Sequence, residues 1–141
     1  MRILLINTTY GIGSTGRIVA ELGDMLEANG DEAFYAYGLG KYNNDTVHFH
    51  KMGGMLYRKY NILLTRLFGN HGYYNRIATD RLVKWIDRIH PDVIHLHNLH
   101  NHYLNVGILF AYIKKHNIPV IWTLHDNWSY TGWCAKFETN K

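Results

Sequence analysis

Cysteine occurs once in the 141 residues, as Cys134, so no internal disulfide can staple this fold. The amino end lacks a charged stretch leading into a long apolar one, and together these absences predict a reducing, cytoplasmic setting. Proline occurs only twice and the hydrophobic fraction is 47%, which excludes the apolar-poor composition of disordered chains. No uninterrupted apolar run approaches the roughly 20 residues that span a bilayer. The nearest stretch is broken by Arg58, Lys59 and Arg66. Internal repeats, low-complexity tracts and linker composition are missing too, and the length is that of one domain.

Acidic excess is also absent. Fifteen Lys and Arg against eleven Asp and Glu give a net charge of +4, and the pI is about 9.2. That balance suits phosphorylated small molecules, nucleic acid and anionic membrane alike. The basic residues form no continuous stripe with interleaved aromatics, which counts against nucleic acid. Neither HExxH nor paired-cysteine spacing accompanies the ten histidines, so the usual zinc patterns are not present.

What remains reads as alternating strands and helices. RILLI (2–6) is an apolar run without alternation, as expected of a strand buried on both faces of a parallel sheet. A glycine loop, NTTYGIGSTG, follows, and then Ile18, Val19, Leu22, Met25 and Leu26 recur at helical spacing before Gly30. EAFYAYG (32–38) predicts a second strand, and VHFH a short third one. Helices are expected over 55–68, over 79–90 ending at Pro91, and over 104–116. DVIHLH (92–97) and PVIWTLH (119–125) supply two further strands. The expected architecture is α/β, a Rossmann-like three-layer α/β/α domain with a mainly parallel sheet.

Gly11, Gly13 and Gly16 match G-x-G-x-x-G between a strand and a helix, where backbone N–H groups favour an anion. Dinucleotide binding also asks for an acid at the end of the second strand. That place holds Tyr35, Ala36, Tyr37 and Gly38, while Asp31 and Glu32 precede the strand, so NAD binding is not expected. Arg17 puts a cation in the first helical turn, against the macrodipole. Either an anion binds nearby, or the glycines make only a tight turn and Arg17 points to solvent.

The histidines gather in HLHNLHNH (95–102), with His125 one strand further along. As metal ligands, His95 and His97 would share a strand face, with His100 and His102 folding back from the loop. As pocket residues, His97 and His125 lie at the carboxyl ends of neighbouring strands, the edge where open α/β sheets bind ligands. Neutral imidazoles there can donate to sugar hydroxyls or shuttle protons. His95, inside its strand, is expected to be a hydrogen-bonded core residue. Asp126 either tunes this pocket and accepts a proton, or forms the turn that follows the strand.

Three pieces together, GSTGRIVAELGDMLEANG, PDVIHLHN and IPVIWTLHDNWSYTGWC, resemble the N-terminal half of a GT-B glycosyltransferase of family 4. The last piece is the most specific, being similar to the colanic-acid and capsule subgroup. The likeness covers nearly the whole chain and is weakest between Gly38 and Ile77. It implies a retaining, nucleotide-sugar-dependent transferase passing a sugar to a saccharide or lipid-linked saccharide acceptor in polysaccharide biosynthesis. Residues 1–141 would be the single acceptor-side domain, inactive alone because the nucleotide-sugar-binding C-terminal domain and its paired glutamates are not part of it.

Further implications of the resemblance concern the site. Gly13, Ser14, Thr15, Gly16 and Arg17 would face the donor diphosphate and sugar. His125, with Asp126 beside it, would contact the sugar near the reacting centre. His97, Asn98, His100, Trp128 and Tyr130 would meet the acceptor. No metal or other cofactor is expected, since basic side chains and helix N-termini balance the diphosphate, and no carboxylate pair is spaced as glycosidases require. Trp128, Tyr130 and Trp133 offer faces for sugar stacking, or pack beneath further chain.

The segment 55–69 sets Arg58, Lys59 and Arg66 beside Leu56, Tyr60, Leu63, Leu64, Leu67 and Phe68. It reads either as an interfacial helix at the inner membrane face or as an ordinary helix with a solvated basic face. Outside the transferase class stand a non-catalytic nucleotide- or phosphate-binding Rossmann module and a histidine-rich metal-binding domain. No nucleic-acid partner is expected.

Overall fold

Nine residues in extended conformation, Arg2–Tyr10, form β1, the strand on which the rest is built. In the computed structural model, which describes residues 1–40, 46–68 and 73–131, the order continues as α1 (Gly13–Ala28), β2 (Glu32–Gly40), β3 (Phe49–Lys51), α2 (Met55–Phe68), α3 (Arg76–Ile89), β4 (Val93–Leu96), α4 (Val106–His116), β5 (Val120–Trp122) and α5 (Trp128–Thr131). The five strands are all parallel, in the order β3-β2-β1-β4-β5. Chain order reverses between β1 and β4, the switch point of a doubly wound sheet.

The unbroken apolar run of β1 follows from burial on both sides. Leu4 and Ile6 face a core completed by Phe34, Leu82, Trp85, Ile86, Ile94 and Leu109, which draws in α3 and α4. Ile3 and Leu5 face the other side, with Val19, Tyr35 and Tyr37, against α1. The three-layer architecture is therefore the one expected.

Boundaries differ in instructive places. β1 runs to Tyr10 and not to Ile6, its register with β2 continuing to Tyr10 opposite Gly40. Asn7 and Thr8 are buried there although polar, because their side chains are hydrogen bonded across the sheet edge. α3 starts at Arg76, a turn before Thr79. Thr79 is an interior residue, its hydroxyl donating to the Asn75 carbonyl at 2.9 Å and accepting the Asn105 N–H at 2.7 Å. α4 begins two residues later than Leu104, where Asn105 Oδ1 accepts the Ile108 N–H at 3.0 Å as an N-cap. β3, β4 and β5 are shorter than the sequence suggests, and the strand expected up to His125 ends at Trp122.

Candidate functional site

The carboxyl ends of β1, β4 and β5 lie side by side and carry the polar residues that interrupt each apolar run. Asn7 is buried at the end of β1. Its Nδ2 donates to the Thr9 carbonyl at 2.8 Å and makes a weak contact with Thr15 Oγ1 at 3.5 Å, while its Oδ1 accepts the Asn98 N–H at 3.1 Å. One side chain thus ties the strand, the first turn of α1 and the turn after β4. Thr8 Oγ1 shares its proton between the carbonyls of Asn98 (3.0 Å) and His100 (3.1 Å). The buried Tyr103 hydroxyl donates to the same Asn98 carbonyl at 2.9 Å. With its backbone so held, the half-buried Asn98 side chain makes no hydrogen bond among the described residues and is available to a ligand.

Histidines form the next part of the rim. His95 Nε2 sits 2.8 Å from Thr123 Oγ1, and its ring stacks on that of His97 at 4.3 Å, as a hydrogen-bonded strand residue should. His97 Nδ1 is 2.9 Å from His125 Nε2, with the ring planes 16° apart and centroids at 5.2 Å. The two imidazoles are joined edge to edge, nitrogen to nitrogen. His97 is 2% exposed and cannot itself meet an acceptor, which corrects its expected role. Its N–H is bonded to the Ile6 carbonyl, and its carbonyl accepts Trp122 Nε1–H at 2.9 Å. Burial first, then His95 and His125, push its pKa down to about 3, so it is neutral near pH 7. Burial, then His125, lowers His95 in the same direction.

Behind His125 the loop is closed by a second link. His100 Nε2 lies 2.8 Å from Asp126 Oδ2, and Asp126 Oδ1 accepts the Trp128 N–H at 3.0 Å at the start of α5. Both carboxylate oxygens are engaged, so Asp126 orients the loop, as in the turn-forming alternative. Trp128 is 8% exposed and packs in the core on the α3 and α4 side, with no open face for a sugar. Tyr130, by contrast, is exposed. Trp133 and Cys134 lie outside the described residues.

At the neighbouring loop α1 begins with Ile12 as its N-cap, no side chain capping it and no acid in its first turn. Gly13 has φ +67°, a conformation that other residues rarely adopt. A Cβ on Gly16 would stand 2.8 Å from Thr9 Oγ1, so the glycine permits the close approach of α1 to β1. Ser14 and Arg17 are exposed, Thr15 is half-buried, and Arg17 makes no ion pair among the described residues. The first turn of α1 thus has neither a side-chain cap nor an acid, and an anion would be stabilised there. No group of three or more His, Cys, Asp or Glu is placed to hold a metal ion among the described residues.

A cavity of about 790 Å³ opens at the amino end of the strands, lined by His50, Arg81, Lys84, Trp85 and Arg88 among others. It contains none of the expected site residues. The carboxyl edge is the stronger candidate because the start of α1 and the turn carrying Asn98 are joined through Asn7 at the switch point of the sheet.

The sequence model of glycosyltransferase family 4 matches residues 15–140. The chain belongs to glycosyltransferase family 4. It is also 30% identical over 151 aligned positions to "Putative colanic acid biosynthesis glycosyl transferase WcaC" of Escherichia coli (strain K12). That alignment covers 96% of this chain and 36% of the relative, so the family 4 chain spans about a third of that protein's length.

The glycine loop, His97, His100 and His125, singled out from the sequence, lie along this edge of the family 4 domain, and so do Asn7 and Thr8, which were not singled out and which tie its turns together. Their signal was present, three polar residues in NTTY directly after an apolar strand.

Proposed function

We propose that this chain is the acceptor-side domain of a retaining glycosyltransferase that moves a sugar, of hexose type, from a nucleotide diphosphate to a saccharide or lipid-linked saccharide during polysaccharide biosynthesis. The observation that carries the reading is the joint rim at the carboxyl edge. Asn7 connects the uncapped start of α1 to the turn carrying Asn98, and His97 connects that turn to His125. In this reading Gly13, Ser14, Thr15, Gly16 and Arg17 meet the donor diphosphate without a metal, since N–H groups and a guanidinium supply the positive potential. His125 meets the sugar near the reacting centre, with Asn98, His100 and Tyr130 on the acceptor side and Asp126 holding the loop. A second domain binds the nucleotide and completes the cleft.

A lipid-linked acceptor is supported by α2. Leu56 is 83% exposed, Leu63 53% and Leu67 65%, while the buried side of the same helix carries Asn61 and Thr65. The leucine face fits peripheral contact with the inner face of a membrane. No described helix is long and apolar enough to cross one.

The test is nucleoside-diphosphate release from a panel of nucleotide sugars by the full-length protein, wild type against His125→Ala. Release that falls by roughly 100-fold or more in the variant is expected, the scale of losing a group that acts on the transition state. No release from any donor, with both domains folded, would overturn the transferase reading in favour of a nucleotide- or phosphate-binding module.

A further inference from the structure

A hydrogen bond between two imidazoles needs one N–H and one lone pair, so the 2.9 Å contact of His97 Nδ1 with His125 Nε2 has two possible proton arrangements. In the first, His97 Nδ1–H donates, His97 Nε2 is bare, and His125 carries its proton on Nδ1. In the second, His125 Nε2–H donates, and His97 must carry its own proton on Nε2. His97 Nε2 is buried without a hydrogen-bond partner among the described residues. The second arrangement therefore strands a buried N–H, and the first only a buried lone pair. Orphaned buried N–H groups are the rarer and costlier of the two.

We propose that His97 is a positioning residue that fixes His125 as its Nδ1–H tautomer, so that His125 presents a hydrogen-bond donor, not a base, to an oxygen acceptor in the cleft. His97 is suited to this because its backbone N–H and carbonyl are bonded to Ile6 and Trp122, and its ring is buried and stacked on His95. His125 is half-buried, and its Nδ1 has no partner among the described residues, which leaves that nitrogen for a ligand. The matching ligand atom is a sugar hydroxyl or phosphate oxygen, and this choice rests on the transferase reading above. A histidine side chain free in water carries its proton mainly on Nε2, so the assigned tautomer is the uncommon one and is diagnostic.

The experiment is two-bond ¹H–¹⁵N correlation spectroscopy of this chain labelled with ¹⁵N-histidine, near pH 7. The wild type is expected to show His125 protonated at Nδ1 and bare at Nε2. His97→Asn, whose side-chain amide can place an N–H near the position of Nδ1, should keep that pattern, whereas His97→Leu should return His125 to a mainly Nε2–H form. A wild-type His125 protonated at Nε2 overturns the proposal, as does a pattern that His97→Leu leaves unchanged in a folded chain. If His97→Leu does not fold, the wild-type tautomer alone decides. In the full-length protein His97→Leu should lower kcat about 10- to 100-fold with little change in KM, the scale seen when a group orienting a site histidine is removed, and His97→Asn should recover most of the loss. An inactive wild type showing the assigned tautomer would count against the transferase reading while upholding the role of His97.

Discussion

At the scale of single residues, His97 makes the site and its pH dependence one problem. In the unfolded chain it takes a proton near the ordinary value of 6.5, whereas in the fold burial holds it near 3. Between those values the unfolded state binds more protons, so folding stability falls as pH drops from about 6.5 towards 3 and is flat in this respect above 6.5. Each unit of difference corresponds to at most about 1.4 kcal/mol, an upper bound that solvent screening lowers. His95, lowered in the same direction, adds to the loss. Urea midpoints of the isolated chain should therefore decline steadily below pH 6.5, with a shallower decline in His97→Leu. A midpoint independent of pH over this window would show that His97 is not held neutral by the fold. The sequence showed where His97 lies but not its burial, because a histidine at a strand end can face either the crevice or the core.

Among the elements, helices were legible wherever apolar residues recurred on one side, as in α1 and α3, and strands wherever burial on both faces produced unbroken apolar runs. Ends were harder. Asn75, a residue type favoured at helix starts, does stand at the N-cap of α3, but its side chain donates to the Tyr103 carbonyl instead of capping the helix. α1 is the element where stability and function pull apart. With α1 starting at Gly13, Arg17 is its fifth residue, one place beyond the first turn expected from the sequence, so its repulsion with the uncapped N-terminus costs at most about 0.3 kcal/mol when no anion is bound. Arg17→Ala should therefore raise the unfolding free energy of the isolated domain by no more than that amount, while weakening nucleotide-sugar binding in the full-length protein, read by calorimetry. A variant that gains stability and binds the donor as well as wild type would show that Arg17 merely points to solvent.

For the whole molecule, the parallel topology followed from the alternation of strands and helices, but which helix face would be left uncovered did not. Leu56, Leu63 and Leu67, separated by seven and four residues, fall on one side of α2, flanked by the exposed Lys59 and Arg66. The opposite side turns Asn61 and Thr65 inward, where Thr65 Oγ1 meets His102 Nδ1 at 3.1 Å. Hydropathy alone assigns the leucines to the core, since amphipathic helices usually bury their apolar side. Here the inward positions are filled by two polar residues, of which Thr65 is bonded to the Asn61 carbonyl and to His102, and the apolar side faces outward beside two cations on a chain of net charge +4. Apolar area and positive charge on one face favour an anionic lipid surface, each cation near such a surface contributing about 1 kcal/mol at moderate salt. The protein should therefore float with vesicles containing phosphatidylglycerol and remain at the bottom of the gradient with purely zwitterionic ones. Raising the salt to about 1 M, where the screening length shrinks to about 3 Å, should weaken the association without abolishing it. Leu63→Glu together with Leu67→Glu should abolish it while leaving the fold intact, because both side chains already face outward. Flotation that survives the double substitution would place the contact elsewhere, and no flotation of the wild type would leave α2 to a protein partner or to the remainder of the full-length enzyme.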